Sequence, residues 1–219
     1  MNVEMINCKT WALVVMICFA AFPGHAQKSD FKPYFSFGTA HGAVLSSVNF
    51  YPNKVQNSFL GYIGGISGSY TSEQDFALQI EINYSQRGWK ELINSVAYTR
   101  RLNYIEIPFL THLYLGNSFR WILDLGPKIG FLIGNQKPPY TDALAGNPEY
   151  TLPISNTFDY GICAGTGFEL YTKPMSYTLE VRYSFGLSDI FPNAKKDVFQ
   201  SSGNMFWSLT LGVQLHFWR

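Results

Sequence analysis

Charge is what this 219-residue sequence has least of. Asp, Glu, Lys and Arg make up 14% of it, whereas soluble domains usually carry about a quarter. Mean hydropathy is nevertheless −0.02, so the missing polarity is supplied by uncharged residues. That excludes intrinsic disorder, which needs charge and low hydrophobicity, and a helical bundle, which favours Ala, Glu, Lys and Leu. A net charge of +1 and a pI of 7.7 give no electrostatic basis for nucleic-acid binding. Cysteine is scarce too, at three residues, and no His/Cys spacing suits a metal, so neither metal nor cofactor is expected. After Gln27 no apolar run approaches 18 residues, which leaves no candidate transmembrane helix.

The sequence does have a targeting segment. Trp11 to Phe22 is an uncharged apolar run ended by Pro23 and Gly24. It is too short to span a bilayer, which takes roughly 20 helical residues, and it suits the core of a secretory signal. Gly24 and Ala26 place small residues at −3 and −1 of a cut before Gln27. Residues 1–26 are therefore predicted to be a cleaved signal peptide and 27–219 the mature domain. Cleavage discards Cys8 and Cys18 and leaves Cys163 alone, so the exported fold must be stable without an internal disulfide.

The mature chain alternates with a period of two. In FALQIEINYSQRGW, Phe76, Leu78, Ile80, Ile82 and Tyr84 share one face, and Ala77, Gln79, Glu81, Asn83 and Ser85 the other. YTLEVRYSFGLS from Tyr177 and the segment Met205 to Phe217 repeat the pattern. Five further strands are predicted at Pro33–Val44, Leu60–Tyr70, Tyr98–Leu115, Phe119–Ile133 and Phe158–Tyr171, which makes eight. Runs of this length exceed the usual globular strand of about five or six residues and fit a tilted membrane strand of roughly 9 to 11. Connections alternate between short (Thr71–Asp75, Gly116–Ser118, Thr172–Pro174) and long (Leu45–Phe59, Arg87–Ala97, Gly134–Thr157, Asp189–Gly203). That asymmetry is the periplasmic turns and outer loops of an outer-membrane barrel.

Aromatic placement separates this reading from a soluble sandwich or lipocalin. On the apolar face, Phe76, Trp121, Tyr70, Phe168, Tyr177 and Phe217 collect at the periplasmic rim. Tyr84, Tyr62, Phe158, Tyr160, Phe185 and Trp207 collect at the outer rim, with aliphatic residues such as Ile80, Leu179 and Leu209 between them. Two girdles around an aliphatic band match a bilayer's depth profile, and a sandwich core has no reason to sort its aromatics this way. The expected architecture is all-β: an eight-stranded antiparallel up-and-down transmembrane β-barrel in the outer membrane, in contact with outer-membrane lipid and monomeric.

The same alternation turns Glu81, Glu106, Asp124, Asp159, Glu169 and Glu180 inward with Arg120, Lys128 and Arg182. A barrel of eight strands has just enough lumen for side chains to fill, so these nine are expected to form a structural network of ion pairs and hydrogen bonds, not a pathway. Inward glycines, among them Gly38, Gly42, Gly161, Gly165 and Gly212, make room for the long side chains opposite. No catalytic constellation emerges. His112 and His216 fall near the periplasmic ends of their strands, His41 stands alone near the outer rim, and Cys163 points inward among glycines.

Three segments carry a family resemblance: FALQIEINYSQRGWK from Phe76, YIEIPFLTHLYLG from Tyr104 and YTLEVRYSFGLSDIF from Tyr177. Within them, Tyr84–Gly88, Tyr104–Pro108 and Glu180–Leu187 resemble recurring strands of the PorT-like outer-membrane β-barrel family of Gram-negative bacteria. DYGICAGTGFEL from Asp159 resembles its sixth strand. The chain departs from the usual pattern by ending Phe217-Trp218-Arg219 where a terminal Phe is common. The resemblance implies an outer-membrane barrel with envelope or secretion proteins as possible partners, since the family's namesake serves a protein-secretion apparatus. The sequence thus points to a non-enzymatic barrel acting structurally or through its outer loops. The alternatives are an accessory of a secretion apparatus and a small lipid-active enzyme.

Overall fold

A computed structural model describes residues 31–93, 96–136, 152–192 and 199–218. The expected signal segment lies outside these residues, as do Pro138, Pro139 and Pro148 of the long outer connection. Eight strands follow one another: β1 (Tyr34–Tyr51), β2 (Asn57–Glu73), β3 (Phe76–Ile93), β4 (Val96–Gly116), β5 (Phe119–Gln136), β6 (Phe158–Tyr171), β7 (Met175–Asp189) and β8 (Ser201–Trp218). Each pairs antiparallel with its neighbour, and β8 returns to β1 from Tyr34↔Trp218 to Tyr51↔Ser201, closing the barrel. Closure leaves no strand edge unpaired, which a sheet in hydrocarbon requires.

The wall follows the alternation. Phe37, Ile66, Ile80, Leu125, Ile162, Leu179, Leu209 and Leu211 are exposed on the outside. Intervening residues such as Ser36, Glu81, Asp124, Glu180 and Ser208 are buried in the lumen. Turns at one end are tight. At the β4–β5 turn, Gly116 adopts φ +120°, a conformation that side chains avoid. The inward glycine at position 165 leaves room for its neighbours: a Cβ there would stand 3.0 Å from Glu180 Oε1 and 3.3 Å from Arg182 Cβ, close enough that they would have to shift.

At the other end two expected loops are in fact strand. Leu45–Phe59 reduces to a link at 52–56, and most of Arg87–Ala97 is strand, because the ladder runs on to Ile93↔Val96. The reason is a change of phase in the sequence pattern. On β3 the apolar residues point outward up to Tyr84, yet the next large aromatic, Trp89, is buried inside. β1 behaves alike: Phe35, Phe37 and Leu45 face out, whereas Val48 and Phe50 face in. Facing never slips. The chemistry of the two faces exchanges, and a reading by apolar periodicity takes the exchange for the end of the strand.

Inside this outer section sits the largest buried apolar cluster, made of Val48, Phe50, Trp89, Tyr98, Leu102, Tyr104, Ile190, Phe191 and Phe199. Ile190, Phe191 and Phe199 come from the β7–β8 connection, held in part by Phe191 N donating to Ser202 Oγ at 3.0 Å.

Candidate functional site: a charged lumen beneath an aromatic cap

The structure places all nine of the inward ionisable residues named from the sequence in the buried lumen, and groups them in three layers. The outermost holds Glu106, Lys128 and Asp159 together with Arg87. Arg87 donates to Asp159 Oδ2 at 2.8 Å and pairs with Glu106. Lys128 Nζ lies 3.1 Å from Asp159 Oδ2 and 3.5 Å from Glu106 Oε1. Ser188 Oγ donates to the other Asp159 oxygen at 2.7 Å. The Arg87 guanidinium is also flanked by the rings of Tyr104 and Phe206, at 4.5 and 4.2 Å. Sequence reasoning missed Arg87 because it lies just beyond the phase change, at the start of an expected loop. The signal that could have found it is its spacing, two residues beyond inward Ser85.

The middle layer is acid-rich. Arg182 makes a bidentate pair with Glu81, two bonds of 2.9 Å, and its Nε donates to Glu180 Oε1 at 2.7 Å. Gln79 and Asn83 each donate to a Glu81 oxygen at 2.7 Å, and Gln214 donates to Gln79 at 2.9 Å. Asp124 stands with His112, Nδ1 to Oδ1 2.7 Å. In the lowest layer Arg120 Nη2 donates to Glu169 Oε1 at 3.0 Å and lies between the rings of Tyr114 and Tyr171, each 4.3 Å away. His216 sits beside it, Nδ1 2.8 Å from Ser36 Oγ.

Taken together, the layers set six carboxyl groups (Glu81, Glu106, Asp124, Asp159, Glu169, Glu180) against four basic side chains (Arg87, Arg120, Lys128, Arg182) and His112. Paired charges are what a lumen of this width can hold, since a lone buried charge is costly. The space left is small. Two lumen cavities measure about 30 and 10 Å³, room for isolated waters.

Above the layers the chemistry changes. Arg100 is fully buried in the aromatic cluster, with its guanidinium carbon 5.6 Å from the Trp89 ring and 5.1 Å from Phe191. It donates to Asn135 Oδ1 and the Leu152 carbonyl at 3.3 and 3.0 Å. Trp89 Nε1 donates to Glu91 at 2.7 Å, and Lys54 approaches Glu91 at 3.6 Å and the Phe199 ring at 5.2 Å. The outer mouth is thus closed by rings.

The remaining residues singled out from the sequence are dispersed. Cys163 is buried, its Sγ 3.5 Å from the Gly126 carbonyl. His41 faces outward on the wall. Its Nδ1 is 2.6 Å from Tyr62 Oη and its Nε2 2.9 Å from Thr39 Oγ1, which itself donates to the Gly65 carbonyl at 2.7 Å. One proton assignment satisfies the whole chain: Tyr62 donates to Nδ1 and Nε2 donates to Thr39. A neutral imidazole with both nitrogens occupied is tolerable toward lipid, and no acid partners it among the described residues.

A closed antiparallel barrel with an apolar exterior, aromatic girdles and a charge-filled lumen defines an integral outer-membrane β-barrel protein. The family model described as outer membrane protein beta-barrel domain matches residues 25–192, and the chain belongs to that family. Its fold is similar to that of the outer membrane protein OprG from Pseudomonas aeruginosa, with TM-score 0.54 at 10% identity, covering 86% of this chain and 97% of that one. Neisserial surface protein A gives TM-score 0.46 at 16% identity, over 84% and 97% of the two chains. Ail, the attachment invasion locus protein of Yersinia pestis, gives 0.43 at 12%, over 82% and 98%. No curated protein matches the sequence.

Proposed function

We propose that this protein is a non-enzymatic, monomeric outer-membrane barrel that acts through the surface its outer connections present, with the lumen network serving only to hold the barrel's shape. The observation that carries this reading is the filled interior: cavities of about 30 and 10 Å³ below, and an aromatic cluster across the mouth above. With passage through the middle blocked, what remains accessible from outside is the rim and its loops, the usual seat of binding on a rigid scaffold. Closure of β1 on β8 supports the monomer, since no edge is left to recruit a second chain. His41, satisfied without an acidic partner, gives no general base for lipid hydrolysis.

A narrower assignment rests on the motifs at Tyr84–Gly88, Tyr104–Pro108 and Glu180–Leu187, which favour a PorT-like barrel and an accessory role in a secretion apparatus. Both readings are tested by crosslinking in native envelopes followed by pull-down, comparing the natural chain with one whose residues 137–151 are replaced by a Gly-Ser linker. The loop reading predicts a partner lost on replacement while the barrel stays folded. Recovery of the same proteins from both chains contradicts it. Enrichment of secretion proteins would favour the narrower role.

A further inference from the structure

Alternation turns nearly every strand charge inward, and the exceptions lie side by side. Apart from the strand-end residues Glu73 and Asp189, the charged side chains that the described strands turn outward are Lys90 on β3 and Arg101 on β4. Their facing is fixed by their neighbours: Trp89 and Glu91 flank Lys90 and are buried inside, as are Arg100 and Leu102 flanking Arg101. Across the ladder Lys90 opposes Thr99 and Arg101 opposes Gly88, so the two cations are diagonal neighbours on one face. Both heads rest on one ring, Lys90 Nζ 5.9 Å and Arg101 Cζ 5.7 Å from the centre of Phe59. That ring is only 4% exposed. Neither cation has a carboxylate partner among the described residues, whereas Arg87, Arg120, Lys128 and Arg182 in the lumen all have one.

Height supplies the second argument. Tyr84 marks the outer aromatic girdle on β3, and Ile105 is its partner on β4. Arg101 stands four residues farther out and Lys90 six. At about 3.3 Å per residue and a tilt near 45°, these positions lie roughly 9 and 14 Å beyond the girdle. Long basic side chains bend toward such a boundary. Two adjacent like charges repel, and a pair kept together with no acid nearby is complementary to an anion. The pair faces sideways from the wall, toward the bilayer's headgroup layer and not upward from the mouth.

We propose that Lys90 and Arg101 form a docking site for the phosphorylated head group of an outer-leaflet glycolipid. Arg101 offers a planar fork suited to two phosphate oxygens and Lys90 a mobile point charge. Gln86, outward on β3 between the girdle and Lys90, adds a neutral amide whose Nε2 donates to Tyr84 Oη at 3.2 Å.

The test uses the barrel folded in nonionic detergent, with bound lipid counted by native mass spectrometry. The probes are bisphosphorylated lipid A and lipid A stripped of both phosphates. The phosphorylated probe should bind at least about tenfold more tightly than the stripped one. The Lys90→Gln/Arg101→Gln double variant should lose that advantage, while Lys54→Gln, a cation at the mouth, should retain it. Each single variant should lose part of it, which keeps the test available should the double variant fail to show heat-modifiable migration. Millimolar inorganic phosphate should leave the lipid bound. Equal binding of the two probes, full binding by the double variant, equal loss in Lys54→Gln, or displacement by inorganic phosphate would each overturn the proposal, the last pointing to a free-anion site instead.

Discussion

The lower and upper parts of this barrel solve the same packing problem with opposite chemistry. Below the outer girdle the wall is apolar and the lumen is charged, with Glu81, Arg182 and Asp124 buried behind Leu78, Leu179 and Leu125. Above it the wall carries Asn49, Asn57, Lys90 and Arg101 on the outside, while Phe50, Trp89 and Leu102 fill the inside. The solvent explains the difference. In lipid, burying an apolar side chain gains little, because hydrocarbon is already outside, and cohesion has to come from hydrogen bonds and ion pairs. In water the ordinary hydrophobic gain of about 25 cal/mol per Å² returns, and the upper section is built like a small soluble barrel. Strands β1 and β3 run through both regimes without a change in facing.

The comparison can be broken at several points. The largest effect is expected from Arg182→Leu, which leaves Glu81 and Glu180 without their shared guanidinium. Removing one partner of a buried pair costs about 3–5 kcal/mol, to be read as a lower urea midpoint of the folded barrel in lipid vesicles. Trp89→Ala should also cost about 3–5 kcal/mol, but of upper-section packing. Proteolysis of the outer connections should accelerate while heat-modifiable migration of the membrane-embedded part persists. If Trp89→Ala abolishes that migration, the two parts are one cooperative unit. Glu180→Gln should be the mildest, within about 1 kcal/mol, because the middle layer sets three carboxyl groups against a single guanidinium and His112. A loss as large as that from Arg182→Leu would show that Glu180 is not the surplus acid.

Much of the lower section was legible because one physical rule, alternation against lipid, governs it from end to end. Strand β6 has the expected bounds, Phe158–Tyr171, and the outward residues of β3, β7 and β8 follow parity alone. What parity could not show is which inward charges meet. Glu81 and Arg182 are 101 residues apart, and Arg87 and Asp159 are 72 apart; their contact depends on register around the closed ring. The upper section was illegible for the reason it is interesting. Where the solvent changes from lipid to water the apolar parity changes with it, so Arg87, Trp89 and Lys90 were assigned to a loop, and with them went the cap and the pairing of Lys90 with Arg101, which lay in an expected strand.

The measurement that bears most directly on the two-solvent account is the cost of an outward arginine at two heights, by urea unfolding of the barrel in vesicles. Leu209 is 50% exposed in the mid-wall of β8, and Leu92 is 71% exposed on β3 above the girdle. Leu209→Arg should cost about 2–4 kcal/mol, as arginine does on the lipid face near the bilayer midplane. Leu92→Arg should stay within about 0.5 kcal/mol, as for a surface change in water. Equal costs at the two positions would contradict the account, because they would mean that both parts of the wall face the same solvent.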